Sequence, residues 1–169
     1  MIHARLNPGA DNSGKLVAEV KKKARTVASE SGKELVLIDG SPGIGCPVVS
    51  SLTGADYVIL VTEPTLSGFH DIKRVYELVK KFGIKSSLII NKYDLNRNIT
   101  NELESFAEAE GIKITARLPY DEAFTEAQVK GLTVAETGGT ELRSLMTKAW
   151  EEVLTDLGEL NEDCIYSKR

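Results

Sequence analysis

The chain has 169 residues, 41% of them hydrophobic and 27% charged, which is the size and make-up of one domain with its own core. It contains no apolar run near the ~20 residues of a membrane span, and Met1-Ile2-His3-Ala4-Arg5 lacks the pattern of a secretory leader, so a cytoplasmic protein without a membrane partner is expected. The net charge of -4 is dispersed, which argues against nucleic acid as a direct partner, and Cys46 and Cys164 stand far apart outside any CxxC, which argues against a zinc or iron–sulfur site built from this chain alone.

Taken in chain order, Ile2, Ala4 and Leu6 alternate with polar residues and predict a strand with one wetter face, suited to a sheet edge. Next comes Asn12-Ser13-Gly14-Lys15. Gly9 supplies the first glycine of the phosphate-loop pattern GxxxxGK[ST], but Leu16 stands where Ser or Thr is required. Asn12 or Ser13 is better read as the N-cap of the following helix, with Asn12 and Lys15 kept as candidate phosphate or interface residues. Leu16, Val17, Val20, Ala24, Val27 and Ala28 then fall on one helical face.

The continuous run Leu35-Val36-Leu37-Ile38 predicts a central parallel strand, buried on both faces. Asp39-Gly40-Ser41-Pro42-Gly43-Ile44-Gly45-Cys46-Pro47 follows it. An acid at a strand end, then glycines that admit close backbone approach, suits a Walker-B-like aspartate holding Mg²⁺ through water, with a loop that senses a γ-phosphate. A plain strand-to-helix turn is the alternative. Pro47 fits the first turn of a helix.

Tyr57-Val58-Ile59-Leu60-Val61 predicts a second central strand, stopped by Pro64 in Thr62-Glu63-Pro64-Thr65-Leu66-Ser67. Ser67 is placed to cap a helix bearing Asp71 and Arg74, whose apolar face is Ile72, Val75, Tyr76, Val79 and Phe82. Leu88-Ile89-Ile90 predicts a third central strand. It ends in Asn91-Lys92-Tyr93-Asp94, a formal match to the NKxD by which GTPases read guanine, with Asp94 as acceptor. The DxxG that should accompany it fails, because Pro42 stands three positions after Asp39.

Ile99, Leu103, Phe106 and Ala107 mark the next helix, and Ile112, Ile114, Ala116 and Leu118 a second edge strand. In Pro119-Tyr120-Asp121-Glu122-Ala123-Phe124 a base could rest on the proline-bounded backbone, while Asp121 could equally cap a short helix. The longest helical pattern runs from Leu142 through Leu145, Met146, Ala149, Trp150, Val153 and Leu154 to Leu157. Strand and helix alternate throughout, so an α/β fold is expected, with an open, mostly parallel sheet covered by helices on both faces. Ligands of such sheets bind outside the carboxyl ends of the strands.

The stretch from Leu35 to Gly45 resembles the switch region of the MinD/ParA/Mrp group of P-loop ATPases, relatives of the nitrogenase iron protein. Val58 to Thr65 with Ser67, Asp71 and Arg74 resembles the next strand, loop and helix of that family, and Pro119-Tyr120-Asp121 through Val134 continues the likeness. This resemblance implies a Rossmann-like three-layer fold, Mg²⁺ and ATP as cofactors, and a homodimeric parent. It implies catalytic roles for Asp39, Gly43 and Gly45, and nucleotide contacts for Thr62, Glu63, Asn91, Lys92, Pro119 and Asp121. Ala4-Arg5-Leu6, Pro8-Gly9 and Asn12 to Val17 resemble the segment that follows a ferredoxin-like insert in one subgroup, where the 4Fe–4S clusters and the Walker A loop lie upstream.

On that reading residues 1–33 are the post-insert strand and helix, 34–134 the switch and nucleotide-site core, and 137–158 the C-terminal helix. The Walker A strand, loop and helix are not among them, so hydrolysis would need the rest of a longer protein, which would also meet a redox or iron–sulfur partner. Two departures narrow the comparison. The tail from Thr155 to Asp163 is acidic, unlike the basic membrane-targeting helix of MinD, and Cys164 has no neighbour to form the CxxC of Mrp-type carriers. A non-catalytic interaction module using an exposed sheet edge and a GTPase fragment remain as alternatives.

Overall fold

A computed structural model describes residues 1–4 and 14–166, with side chains as far as residue 158. The chain divides into two compact units, residues 1–55 with 74–84, and residues 56–73 with those from 85 onward.

The second unit holds a parallel sheet in the order β1 (Tyr57–Thr62), β2 (Lys85–Asn91), β3 (Lys113–Leu118). Leu88 and Ile90 of the central strand are fully buried, as β-branched and leucine runs covered on both faces should be. Leu60 stands opposite Leu88 on β1, and Ile114 opposite Leu88 on β3. The next pair is Ile89 with Ala116, so Thr115 is an extra residue in β3. Such a bulge leaves one residue without a ladder partner, and the Thr115 hydroxyl compensates by donating to the Leu88 carbonyl at 3.3 Å.

Four helices belong to this unit alone: α4 (Arg97–Glu110), α5 (Ala123–Val129), α6 (Val134–Thr137) and α7 (Thr140–Tyr166). Ala149 of α7 packs on Ala116 and Leu118, with Ile89, Phe124, Leu145 and Met146 around them. Arg117 lies between those two strand residues, so alternation turns it to the other face, where its guanidinium pairs with Glu104 of α4. Strand β3 is therefore flanked by helices on both faces, as the alternation of elements requires. Leu103 of α4 is fully buried, and burial of each such leucine is worth about 1.5–3 kcal/mol.

At the amino ends of the strands, the Tyr57 hydroxyl donates to Asp156 at 2.7 Å, and the Lys113 ammonium lies 3.2 Å from the same carboxylate and 3.4 Å from Glu152. These contacts tie α7 to β1 and β3. Burial and the Asp156 contact together push the Tyr57 hydroxyl up to about 12. Burial opposes ionisation of Asp156, but hydrogen bonds from Tyr57 and Lys113 outweigh it and hold the carboxyl below its ordinary value.

In the first unit, α1 (Gly14–Glu30) and α2 (Cys46–Leu52) pack together. Gly14 permits the approach, since a Cβ there would stand 2.5 Å from the Ser50 hydroxyl and 2.8 Å from the Cys46 carbonyl. Lys21, 6% exposed, sends its ammonium to the carbonyls of Ser50, Ser51 and Thr53 at 3.0, 2.5 and 2.9 Å. These are among the carbonyls that a helix C-terminus leaves without partners, and Arg25 closes the next turn through Gly54. Burial, with Arg25 nearby, pushes the Lys21 amine below its ordinary value. The remaining helix, α3 (Leu66–Phe82), has residues in both units.

Three expectations need correction. Leu35–Ile38 is not a strand, and Leu35 and Leu37 are 43% and 74% exposed. An apolar run acquires a buried pleat only by joining a ladder, and this one joins none among the described residues. Tyr57–Val61 is a strand, but it lies at an edge of the described sheet rather than its centre, with Val61 59% exposed. Met1–Ala4 carry no strand for the same reason as Leu35–Ile38, and Arg5, Leu6, Asn12 and Ser13 lie outside the described residues.

Candidate functional site

The carboxyl ends of the three strands each release a short segment, and these segments are joined to one another. After β1, buried Thr62 and Pro64 flank half-exposed Glu63. The cap of α3 is Thr65, whose hydroxyl accepts from the Gly68 N–H at 3.0 Å, and not Ser67, whose hydroxyl instead meets Thr65 at 3.2 Å. Gly68 is required there: a Cβ would stand 2.5 Å from the Glu63 carbonyl and 3.0 Å from the Thr62 and Thr65 hydroxyls. The first turn of α3 thus presses directly on the segment that presents Glu63.

After β2, Asn91 is half-buried and Lys92 adopts a left-handed backbone, φ 53°, which a non-glycine residue takes up only when its surroundings hold it. Here they do. The Lys92 ammonium lies 2.7 Å from Glu63 Oε1, and the Asn91 amide donates to that same oxygen at 3.4 Å. The Tyr93 N–H donates to the Leu118 carbonyl at 3.1 Å, and Thr100 of α4 donates to the Tyr93 carbonyl at 2.7 Å. Asn96 caps α4 by accepting from the Ile99 N–H.

After β3, Pro119 is half-buried and the Tyr120 N–H donates to Asp94 at 2.8 Å. Asp121 accepts from the Ala123 N–H at 2.8 Å just before α5, but the N-cap residue of that helix is Glu122, which makes no side-chain cap, so Asp121 is not the cap expected of it. Thr62, Glu63, Asn91, Lys92, Pro119 and Asp121 therefore all occupy the carboxyl ends of one sheet. Glu63 links the first of these segments to the second, and Asp94 links the second to the third.

Asp39, Gly43, Gly45 and Lys15 belong to the first unit. Asp39 is exposed in a stretch without regular structure, and Gly43 has φ +87°, a conformation that favours glycine. Gly45 is the extended N-cap residue of α2, with Pro47 in its first turn. Lys15 is exposed in the first turn of α1, and Asn12 lies outside the described residues.

Among the described residues no three His, Cys, Asp or Glu side chains gather to hold a metal. A lone carboxylate such as Asp39 suits Mg²⁺, which keeps its waters and takes one or two protein carboxylates together with phosphate oxygens. No helix among the described residues is long and apolar enough to cross a membrane.

Sequence reasoning overlooked Gly68, Thr100 and the bracing role of Asp94. Thr65-Leu66-Ser67-Gly68 does carry a signal, a hydroxyl three residues before a glycine at a helix start. The Thr100 and Asp94 contacts join residues on different elements and have no local signature.

No family model matches the chain. It is 32% identical over 96 residues to the uncharacterized protein MJ0578 of Methanocaldococcus jannaschii, a match covering 57% of this chain and 33% of that protein. It is 30% identical over 131 residues to the uncharacterized protein MJ0579 of the same organism, covering 78% of this chain and 43% of that protein. The chain thus spans less than half the length of these relatives. Among solved structures it is similar to the septum site-determining protein MinD of Pyrococcus horikoshii in complex with Mg-ADP, with TM-score 0.69, 22% identity, and coverage of 88% of this chain and 59% of that one. The cell division ATPase MinD of Pyrococcus furiosus gives 0.64, 19%, 85% and 59%, and MinD of Aquifex aeolicus gives 0.66, 13%, 85% and 61%. The chain has the α/β fold of the MinD ATPases over most of its length, with its candidate site at the strand ends of that fold.

Proposed function

We propose that this chain is the base-reading and switch portion of a MinD-superfamily ATP-binding protein. The observation that carries the reading is the junction at the strand ends, where Asn91, held by Glu63, lies in the same set of segments as Pro119 and Asp121. An open parallel sheet binds its ligand at that end. The MinD of Pyrococcus horikoshii, which shares the fold, is described in complex with Mg-ADP. In this reading Asn91 and Asp121 hold the base against Pro119, and Thr62 and Lys92 border the nucleotide. Asp39 holds Mg²⁺ through water, and the Gly43–Gly45 backbone meets the γ-phosphate. When bound, Mg²⁺ neutralises charge on the phosphate oxygens. Asn12 and Lys15 are proposed for a phosphate or an interface.

A longer protein would add the phosphate cradle, pair as a homodimer, and couple ATP to iron–sulfur or redox chemistry. This last part rests on the resemblance of Ala4–Val17 to the segment after a ferredoxin-like insert. Titration of Mg-ATP against the protein that contains this chain, and against its Asp39→Ala variant, tests the reading. Hydrolysis should fall by two to three orders of magnitude, as loss of a metal or charge clamp does; equal affinity and turnover would remove Asp39 from the site.

A second reading, an interaction module, draws on exposed Val61 at the β1 edge and on exposed Leu35 and Leu37. It predicts self-association at the same concentration with and without nucleotide, measurable as solution mass. A guanine-reading site is disfavoured because the DxxG that should accompany NKxD fails at Pro42.

A further inference from the structure

We infer that Glu63 is a specificity-determining residue that selects 6-amino over 6-oxo purines by fixing which way the Asn91 amide faces. The inference rests on the base-reading role proposed above and assigns the selectivity to a neighbour. An asparagine side chain offers an acceptor on one branch and donors on the other, and a free one can turn over to suit either purine. Asn91 is not free. Its amide group lies 3.4 Å from Glu63 Oε1, and a carboxylate oxygen can only accept, so the NH₂ branch must face Glu63 and Oδ1 must face the opposite way.

The Lys92 ammonium holds the same carboxylate oxygen at 2.7 Å, and the left-handed backbone of Lys92 brings it there directly after Asn91. Gly68 fixes the other side, because the α3 backbone passes so close to Glu63 that no Cβ fits. The acceptor turned away from Glu63 would pair with the N6 amino group of adenine and oppose the O6 acceptor of guanine or hypoxanthine. The group that could reverse this choice is Asp94, the residue placed to accept from guanine N–H groups; its Oδ1 accepts from the Tyr120 N–H at 2.8 Å, which ties the carboxylate to the segment after β3 and leaves Oδ2 as its other acceptor. Two carboxylates thus divide the work: one turns the reader, and the other is held as a brace.

The test uses the protein that contains this chain, ¹⁵N-labelled, titrated to millimolar ATP, GTP and ITP with Mg²⁺ and followed at the Asn91 side-chain amide and the Tyr120 N–H. ITP differs from ATP in carrying a 6-oxo group in place of the amine, so the unmodified protein already tests the idea. ATP is expected to bind at least tenfold more tightly than ITP or GTP, since a mismatched polar group in a reading site costs about that factor or more. In Glu63→Gln, whose amide can meet Asn91 with either branch, the ratio should fall to within about threefold. Lys92→Gln removes one hold on Glu63 but keeps the accepting carboxylate, and should lower the ratio by less than Glu63→Gln does. Equal binding of ATP and ITP by the unmodified protein overturns the inference alone, as does an unchanged ratio in a folded Glu63→Gln or a collapse in Lys92→Gln as large as in Glu63→Gln. Failure of all three nucleotides to shift these signals overturns the base-reading role itself, and the inference with it.

Discussion

Two segments of this molecule begin alike and end differently. Leu88-Ile89-Ile90 and Leu35-Val36-Leu37-Ile38 are both short apolar runs, each followed by a polar residue expected at a nucleotide site, Asn91 in one case and Asp39 in the other. The first run is a central strand with Leu88 fully buried, and the residues after it are held by Glu63, Leu118, Thr100 and Tyr120. The second is irregular, with Leu35 and Leu37 exposed and Val36 and Ile38 half-buried. Apolar content thus does not make a strand by itself; what decides is whether neighbouring strands take up the backbone hydrogen bonds and helices cover the faces.

The comparison can be broken first at its strongest point. Leu88→Ala should cost about 3 kcal/mol, the usual effect of a cavity at a fully buried leucine, seen as a lowered urea midpoint at constant slope. Lys21→Met should cost about 2 kcal/mol by the same measurement, because three carbonyls lose a charged donor and regain it only in part from water. This would separate the ordered α1–α2 pair of the first unit from the irregular run beside it in sequence.

A smaller effect is expected from pH. The folded-state value of Tyr57 is raised from 10.0 to about 12, so its contribution is complete below pH 10.0 and lost as pH rises through about 12. That of Asp156 is lowered from 3.8, so its contribution is present above pH 3.8 and lost as pH falls through the lower folded value. Tyr57→Phe should flatten the alkaline limb of stability against pH; a limb of unchanged slope would assign the loss to other groups. The smallest effect is predicted for Leu37→Ala, below about 0.5 kcal/mol, since an exposed leucine has little burial to lose. A cost comparable to Leu88→Ala would mean that the Leu35–Ile38 run is buried in solution.

Much of this molecule was legible before its structure. The helical faces of Leu16–Ala28, Ile72–Phe82, Ile99–Ala107 and Leu142–Leu157 correspond to α1, α3, α4 and α7, because a 3.6-residue period is a property of the chain itself. The strands at Tyr57, Leu88 and Ile112–Leu118, their parallel order and the helices on both faces followed from the alternation of elements. Candidate positions after each strand were legible too, since an α/β sheet presents its strand ends together.

Side-chain partners were not legible in this way. That Glu63 is 28 residues from Asn91 in sequence yet shares a hydrogen bond with it, that Asp94 braces Tyr120, and that Thr115 forms a bulge all depend on the register between strands. Register depends on how the apolar patterns of neighbouring strands match, so no single segment shows which residues will stand opposite each other. Composition and period determined which elements this chain makes. Tertiary structure decided which polar groups those elements bring within hydrogen-bonding distance, and so which branch of the Asn91 amide is left to meet a ligand.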